Sequence, residues 1–210
     1  MRKLSIAILF VTIYLCGCHG NTDLTPKRQG YFRIALPERK YAQYNTDAPF
    51  TFEYPDYAKA LRDSNTQMNS YWINLVFPRF RCNVYMSYLT VDTNVDAYID
   101  ECRKFVVKHE VKASAISERE VENSKDKIYG VIYDIEGNAA SNMQFYLTDS
   151  TRNFVRGALY FYAVPNKDSL EPVVKFIKED INHLVETFRW KNPSPVNEIK
   201  VSPPIKAHVN

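Results

Sequence analysis

The stretch IYGVIYDIEGNAASNMQFYLTDSTRNFVRGALYFY, residues 128–162, decides the fold. It contains three segments in which apolar and polar residues alternate and β-branched and aromatic residues are frequent: Ile128–Glu136, Asn142–Asp149 and Phe154–Tyr162. A period of two with this composition predicts β-strands. Short connections containing Gly, Asn and Ser separate the segments, and short turns join antiparallel neighbours. The stretch therefore predicts three consecutive antiparallel strands.

The register within this stretch is predicted from the faces that its apolar side chains occupy. Matching the apolar residues of the second and third strands requires a loop of three or five residues around Ser150–Asn153, because a four-residue loop would put the two sets on opposite faces. The turn Gly137–Ser141 is expected to let Asp134 oppose Gln144. The matched apolar sets are Met143, Phe145 and Leu147 on the second strand and Val155, Leu159 and Phe161 on the third.

Outside residues 128–162, four more segments have the period of a strand and two have the period of a helix. Apolar residues recur at helical spacing in Val95–Val106 and Leu170–Phe188, and Asn94 and Ser169 are in position to cap these helices. Two amphipathic helices must cover a largely antiparallel sheet of about seven strands, in the order βββα-ββββ-α, so the fold class is α+β. The further strands are predicted at Phe50–Tyr54, Trp72–Phe77, Cys82–Tyr88 and Ile116–Val121.

The expected register gathers polar side chains on the second face of the sheet. If both helices cover the apolar face, the second face is open and can hold a partner protein. The alternative is that it is simply the solvated face of an antiparallel sheet. The candidate partner-binding residues are Asp134, Gln144, Arg156 and Tyr160, accompanied on this face by Asn142, Thr148, Ile132, Tyr146 and Ala158.

The N-terminus has the order of a bacterial secretion signal. Two basic residues precede the apolar run Leu4–Leu15, which is shorter than the roughly 20 residues of a stable transmembrane helix. Leu15-Cys16-Gly17-Cys18 resembles the lipobox of bacterial lipoproteins, whose cysteine is acylated and becomes the new N-terminus. We expect residues 1–17 to be a signal peptide and Cys18 to be bound to membrane lipid through its acyl chains. The alternative is an ordinary signal peptide.

Polar segments are expected on both sides of one domain. Residues 18–29 are polar without periodicity and are predicted to be a flexible tether, and residues 192–210, with four prolines, are predicted to be a disordered tail. Residues 30–191 have the length and apolar content for a single α+β domain. Removing Arg2 and Lys3 takes the 27 basic residues to 25, against 24 acidic residues. This balance argues against nucleic-acid binding.

Two cysteines remain after Cys18, namely Cys82 on a predicted strand and Cys102 on the first helix. Both lie among apolar residues and could face the same seam between helix and sheet. Cys82 lies roughly 20 Å along its strand from Tyr88, whereas Cys102 lies only about 10 Å along its helix from Val95. A disulfide needs a Cα separation of about 5.5–6 Å. The mismatch favours two buried free thiols, with a disulfide as the alternative.

No arrangement of residues predicts catalysis, a cofactor or a metal site. The histidines at positions 19, 109, 183 and 208 have no ligand spacing, and no serine has the glycine flanks of a nucleophile elbow. His109, near the end of the first helix, is expected to stabilise the helix dipole. Asp134 and Glu136 share a strand face, but nothing in the sequence places a cleft around them. We therefore expect a protein that is not an enzyme.

Three blocks of sequence carry a family likeness. They are Trp72-Ile73-Asn74-Leu75 with Phe77-Pro78, the run YGVIYDIEGNAASNMQFYLTDS at 129–150, and the run RGALYFYAVPNKDSLEPV at 156–173. Together with residues 30–34 and 186–190 they resemble the gliding motility-associated lipoproteins of Bacteroidota called GldD. The resemblance implies an accessory component of the envelope machinery for gliding and for type IX secretion, with no catalytic residues to transfer. Its expected partners are other envelope motility and secretion proteins.

The segment after Cys18 bears on the location of the protein. In Bacteroidota an acidic run after the acylated cysteine resembles an address for the outer cell surface. Its absence here favours the outer membrane with the domain facing the periplasm.

The alternative function is that of a periplasmic lipoprotein that binds a small glycan or lipid in a pocket under the helices. The residues expected to face the helices are predominantly apolar, so they favour a filled core over such a pocket.

Overall fold

The computed structural model describes residues 34–63, 71–91, 94–162 and 167–191. The predicted signal peptide, Cys18, the tether and the tail lie outside the described residues. The described helices and strands are β1 (Tyr41–Tyr44), β2 (Phe50–Pro55), β3 (Lys59–Arg62), β4 (Ile73–Phe77), β5 (Cys82–Thr90), α1 (Val95–Val107), β6 (Ala113–Asn123), β7 (Ile128–Gly137), β8 (Ser141–Thr148), β9 (Asn153–Phe161), α2 (Lys167–Thr187) and β10 (Arg189–Trp190).

Residues 128–162 form three consecutive antiparallel strands, as predicted, within a seven-stranded sheet. The order of that sheet is β3-β4-β5-β9-β8-β7-β6, and each neighbouring pair is antiparallel. Leu147 pairs with Val155 and Met143 with Leu159, so the apolar sets share one face. Five residues separate the paired positions Thr148 and Phe154. The odd-numbered loop is therefore confirmed.

A smaller sheet holds the strand predicted at Phe50–Tyr54. This sheet has the order β1-β2-β10 and packs its aromatic side chains into the core beneath α2. Sequence periodicity missed β1, β3 and β10, because strands of two to four residues are too short to show a period. The α+β class and the antiparallel sheet of seven strands are confirmed. The strand predicted at Phe50–Tyr54 was expected in this sheet but belongs to the smaller one, and β3 is the seventh strand instead.

Helix α2 covers one face of the large sheet and builds the main hydrophobic core. Its buried side chains recur at helical spacing and contact the strand face that carries Phe145, Leu147 and Val155. The apolar side chains among them are nearly inaccessible to solvent, so each contributes about 1.5–3 kcal/mol relative to leaving it exposed. The buried residues of α2 are Val173, Phe176, Ile177, Asp180, Ile181, Leu184 and Val185.

Helix α1 covers the opposite face, so the expectation that both helices cover one face is wrong. Strands β5 and β6 point the same way because four antiparallel steps separate them, and α1 is the crossover that connects them. Ile99, Cys102 and Val106 of α1 form a second core with apolar side chains of β7–β9. Asn94 caps α1 as predicted, since its side chain accepts a hydrogen bond from the Ala97 amide at 3.1 Å.

Candidate interaction site

Asp134 and Gln144, both predicted on the candidate partner-binding face, lie on opposite faces of the sheet. In the register between β7 and β8, Tyr133 opposes Gln144 and Asp134 opposes Met143. The expected pairing of Asp134 with Gln144 is therefore wrong by one residue, and a slip of one residue changes the face of every side chain on the strand. The observed register directs Tyr133 into the core under α1, where it is 1% exposed. Asp134 instead faces α2.

Helix α1 covers Gln144 and part of Arg156, so this part of the expected open face is closed. Gln144 is 2% exposed and accepts a hydrogen bond of 3.2 Å from the Arg156 guanidinium. The same guanidinium lies 4.0 Å from the centre of the Phe105 ring on α1, a distance at which cation–π attraction operates. The two residues therefore hold α1 to the sheet, and neither is presented on an open face.

The rest of that face, on β3, β4, β5 and β9, remains exposed and carries a group of tyrosines. We call it the tyrosine face. Register places its strand residues together, because Leu61 opposes Asn74, Asn74 opposes Tyr85, and Asn83 opposes Tyr160. Of the predicted partner-binding residues, Tyr160 belongs to this surface. The tyrosine face consists of Leu61, Asn83, Tyr85, Tyr160 and Tyr162.

Side-chain contacts order the tyrosine face. The rings of Tyr85 and Tyr160 meet edge to face with centroids 5.9 Å apart. The hydroxyls of Tyr85 and Tyr162 are hydrogen-bonded to each other, and the Asn83 amide donates to the Tyr162 hydroxyl at 2.8 Å. Leu61 is 49% exposed, Tyr85 37% and Tyr162 52%. The face therefore presents apolar area and hydrogen-bonding groups in a preorganised arrangement.

Tyr85 and Tyr162 were not among the residues predicted from sequence, although a signal was available. Cys82–Tyr88 was predicted as a strand with Cys82, Val84 and Met86 facing the core. The same alternation puts Asn83 and Tyr85 on the opposite face, and it puts Tyr162 on the face of Tyr160. Following the alternation on both strands would have located the group.

A groove lies on the other face, between the β7–β8 hairpin and the N-terminal half of α2. Its cavity volume is about 240 Å³. Asp134 and Glu136 lie at its rim, so the expectation that no cleft surrounds them is wrong. Asp134 forms an ion pair with Lys178. The apolar residues that line the groove are Ile135, Ala139, Ala140, Phe161, Leu170 and Val174, and the other polar ones are Asn142, Glu171 and Lys175.

A buried carboxylate on α2 gathers donors from the N-terminal part of the domain. Asp180 is 1% exposed and accepts hydrogen bonds from the Arg39 guanidinium at 3.2 Å, the Tyr41 hydroxyl at 3.0 Å and the Tyr57 hydroxyl. Burial raises the pKa of Asp180, and the hydrogen bonds from Tyr57 and Tyr41 offset only part of this rise. Asp180 lies on the apolar stripe of α2, next to Ile177 and Ile181, and this position in the sequence indicates a buried carboxylate.

The histidines within the described residues have neighbours that suggest structural roles. His183 stacks on Tyr41 with ring centroids 3.7 Å apart, and its Nε2 lies 2.7 Å from a carboxylate oxygen of Glu53. Burial, followed by the charge of Arg156, lowers the pKa of His109. This favours a neutral ring, whereas the interaction with the helix dipole expected for His109 needs a charged one.

The two described cysteines lie on opposite faces of the large sheet. Cys82 belongs to the core under α2 and Cys102 to the core under α1, and both are free thiols. The expectation that they could face one seam is wrong, while the prediction of two buried free thiols is confirmed. Burial raises the pKa of each thiol to about 12.

Among the residues that the structure describes, no group of three or more His, Cys, Asp or Glu side chains is placed to hold a metal ion. No helix in the described ranges is both long enough and apolar enough to cross a bilayer.

Comparisons with known proteins bear on the family of the chain. In fold, the chain is similar to the solution structure of cyanobacterial PsbP (CyanoP) from Synechocystis sp. PCC 6803. The TM-score is 0.44 at 11% identity, over 76% of this chain and 97% of that one. No curated protein sequence matches the chain. The family model described as gliding motility lipoprotein GldD matches residues 21–190. Because that match covers most of the chain, the chain belongs to the GldD family of gliding motility lipoproteins.

Proposed function

We propose that this lipoprotein is a non-enzymatic accessory component of the envelope machinery for gliding motility and type IX secretion, and that it acts through protein–protein contacts. The observation that carries the proposal is the tyrosine face. Tyrosines are enriched at protein interfaces, because the ring supplies apolar area and the hydroxyl a hydrogen bond. The exposed fractions of Leu61, Tyr85 and Tyr162 leave much of this apolar area for a partner to bury.

A non-enzymatic role is supported by how the acid–base groups are engaged. Asp134 forms an ion pair with Lys178, and His183 contacts Glu53. Asp180 accepts three hydrogen bonds within the core. A general acid or base must reach a substrate proton, whereas these groups contact side chains of the same domain.

The proposed location rests on the N-terminal sequence. Acyl chains on Cys18 would hold the protein in a membrane, because each buried methylene contributes about 0.8 kcal/mol and two or three chains make attachment stable. The segment after Cys18 lacks an acidic run. We therefore propose the outer membrane, with the domain facing the periplasm. Mass spectrometry of the N-terminal peptide from the native protein tests the attachment, since a Cys18 that carries no acyl chain on its sulfur would contradict it.

Photo-crosslinking in cells tests the tyrosine face. A crosslinking phenylalanine derivative replaces Tyr162, and the matched control replaces Glu122, an exposed residue on edge strand β6. We expect covalent adducts with envelope proteins from position 162 and none of the same size from position 122. Equal adducts from both positions would show that the tyrosine face is not selective.

Substitutions test whether those contacts matter in the cell. Tyr85→Ala with Tyr162→Ala removes two rings. Tyrosine is enriched among the hot-spot residues of interfaces, whose truncation costs about 2 kcal/mol or more, so we expect loss of the adducts and of spreading on agar. Tyr85→Phe with Tyr162→Phe keeps the rings and is expected to keep much of the function. Retained spreading and secretion in the alanine variant, at normal protein level, would remove the tyrosine face from the proposal.

Deletion of the gene separates the two proposed cellular roles. The secreted protein profile reports on type IX secretion, and colony spreading on agar reports on motility. We expect both to be impaired. A normal secreted profile in a strain that no longer spreads would confine the protein to motility and contradict the secretion role.

The groove supports a second candidate function, the binding of a small glycan or lipid. Its apolar lining with a charged rim is typical of small-ligand sites, and its volume of about 240 Å³ limits it to a ligand smaller than most of that class. A thermal-shift screen with envelope glycans and lipids tests it. A ligand at 100 times its dissociation constant stabilises by about 2.7 kcal/mol, which raises Tm by about 5 °C or more.

A cavity-filling variant makes that screen specific. Val174→Trp would fill the groove, and Leu61→Trp, on the tyrosine face, is the matched control. We expect a genuine groove ligand to stabilise the parent and the control but not Val174→Trp. The absence of stabilisation by every ligand at high concentration would contradict the second candidate.

A further inference from the structure

The C-terminal end of α1 and the turn after it carry a surface strip of alternating apolar and basic side chains. Val107 is 53% exposed and Val111 is 85% exposed, the highest fraction among the exposed large apolar side chains that the structure describes. Lys104, Lys108 and Lys112 are exposed beside them. Lys104, Val107 and Lys108 line one shallow surface at the helix end. The chain continues from there to Val111 and Lys112 through turns, in which the Glu110 amide donates to the Val107 carbonyl and the Lys112 amide to the His109 carbonyl. We call Lys104, Val107, Lys108, Val111 and Lys112 the basic strip.

The basic strip is separate from the face of α1 that packs on the sheet. Ile99, Cys102 and Val106 are buried in the core under α1. Val107 lies about 100° around the helix from Val106, which directs it to solvent. Neither exposed valine therefore contributes to the core, and their apolar area is available to an external surface.

The basic side chains around the strip exceed the acidic ones by one. Residues 100–112 contain Arg103, Lys104, Lys108 and Lys112 against Asp100, Glu101 and Glu110. Asp100 is engaged by Arg103 at 3.6 Å, and Lys108 lies 4.9 Å from the centre of the Phe105 ring. The whole chain after residue 17 has 25 basic and 24 acidic residues, so its overall charge gives little attraction to an anionic surface. Such attraction has to come from a local group of lysines.

We propose that the basic strip binds the surface of a membrane that contains anionic phospholipids. The lysine ammonium groups would meet the phosphate headgroups, and the two valines would enter the headgroup region. Membership in a lipoprotein family places the domain near a membrane. Fifteen residues lie between Cys18 and Ile34, and an extended chain of that length spans about 50 Å, which gives the domain freedom to turn one of its sides towards the bilayer. The inference does not depend on the tyrosine face.

Vesicle sedimentation tests the proposal without the lipid anchor. The chain from residue 18 onward, with Cys18→Ser, is mixed with vesicles of phosphatidylcholine alone or of phosphatidylcholine with phosphatidylglycerol. We expect binding to the second kind and little to the first. Since each lysine near an anionic surface contributes strongly, Lys104→Glu with Lys108→Glu should weaken binding by more than about tenfold. Val107→Ser with Val111→Ser should weaken it by about fivefold.

A matched control separates the strip from general charge. Lys59→Glu with Lys125→Glu makes the same change in net charge at exposed lysines elsewhere. We expect this control to bind like the parent. An equal loss in the control would overturn the proposal, and so would equal binding to both kinds of vesicle or binding to neither.

A tryptophan at the strip gives a readout that does not rely on lost affinity. Val111→Trp places an indole at the most exposed apolar position, where folding does not depend on the side chain. Trp72 and Trp190 emit in both parent and variant, so the parent spectrum is subtracted. We expect the remaining emission to shift to shorter wavelength with anionic vesicles. An unshifted spectrum, or crosslinking of position 111 in cells to an acidic protein and not to lipid, would overturn the proposal in favour of a protein partner.

Discussion

The hydroxyl of Tyr41, on β1, donates a hydrogen bond of 3.0 Å to the carboxylate of Asp180, on α2. These residues are 139 positions apart in the chain. The same carboxylate accepts from Arg39 and Tyr57, so one buried charge ties the segment that enters the domain to the helix over the main core. A carboxylate held in this way stabilises the fold only while its donors remain, because an unpaired buried charge is strongly unfavourable.

Removing the Asp180 carboxylate is therefore expected to destabilise the domain. Asp180→Ala leaves two hydroxyls and a guanidinium without their acceptor, and we expect the free energy of unfolding to fall by about 3 kcal/mol. Urea denaturation measures this. Glu179→Ala is the matched control, since Glu179 contacts Arg39 from a side chain that is 48% exposed and should contribute less than about 1 kcal/mol. Equal losses in the two variants would contradict the special role of Asp180.

The tyrosines of this cluster predict a loss of stability at alkaline pH. Burial first, and then the charge of Asp180, raises the pKa of Tyr41 to about 12 and also raises that of Tyr57. In the unfolded chain the pKa of tyrosine is about 10. A raised folded-state pKa gives stability that is fully present below the unfolded pKa and is lost as pH rises through the folded one.

We therefore expect the urea midpoint to fall between about pH 10 and about pH 12. Tyr41→Phe with Tyr57→Phe should reduce this fall, because the substituted rings cannot ionise. Part of the fall should remain in the variant, because burial also raises the pKa values of Tyr133 and Tyr146. The same pH dependence in parent and variant would contradict the assignment to Tyr41 and Tyr57.

Much of the fold could be predicted from local patterns, because the period of two survives wherever a strand is long and packed on one side. Residues 128–162 show this, and the cap at Asn94 was likewise predicted from one residue type in one position. The faces were harder to predict. Both faces of β7 carry apolar residues, such as Ile132 under α2 and Tyr133 under α1, so alternation alone did not reveal that each face is covered by its own helix.

The candidate site was only partly predicted for the same reason. Asp134 pairs with Met143 and not with Gln144 as expected, a difference of one residue that depends on the β7–β8 turn, where Gly137 has a φ of +100°. Arg156 was expected on an open face, but its contact with Phe105 belongs to the packing of α1, a long-range interaction. Tyr160 is on the exposed surface, because its end of β9, unlike the end that carries Phe154, lies beyond the part of the sheet that α1 covers.

The β8–β9 turn predicts a loss of stability at acid pH. Asp149 is 4% exposed and accepts amide hydrogen bonds from Thr151 at 3.0 Å and from Arg152 and Asn153 at 2.8 Å. Burial alone would raise the pKa of Asp149, but the hydrogen bonds from Arg152, Asn153 and Thr151 hold it below the ordinary value. A lowered pKa gives stability that is present above the unfolded pKa of about 3.9 and lost as pH falls through the folded pKa.

Asp149→Ala is expected to reduce the free energy of unfolding by about 2 kcal/mol at neutral pH, since charge-assisted hydrogen bonds are lost. The difference from the parent should shrink in acid. Asp149→Asn keeps an acceptor oxygen without the charge and should lose less. Urea denaturation at neutral pH and near pH 3 measures these differences. A constant difference across this range would contradict the role of the ionised carboxylate.

Close packing in the main core makes Gly157 sensitive to a single methyl group. A Cβ added at Gly157 would lie 2.2 Å from two carbons of the Phe145 ring, which is 2% exposed and has little freedom to move. We expect Gly157→Ala to cost about 2 kcal/mol, as overpacking of cores usually does. In the double variant Gly157→Ala with Phe145→Leu, the cost of the alanine should fall, and a double-mutant cycle measures this coupling. Additive costs would contradict the steric explanation.

The free thiols predict how the protein responds to alkylation and oxidation. Cys82 and Cys102 lie on opposite faces of the sheet, and burial raises the pKa of each to about 12, so few thiolates are present or accessible at neutral pH. We expect the folded chain from residue 18 onward, with Cys18→Ser, to take up no iodoacetamide by mass spectrometry and the same chain unfolded in urea to take up two groups. An oxidant should form no intramolecular disulfide in the folded state, because a layer of strands separates the two sulfur atoms. Cys82→Ala and Cys102→Ala report each site separately, and fast labelling of either thiol under native conditions would show that its helix opens readily from the sheet.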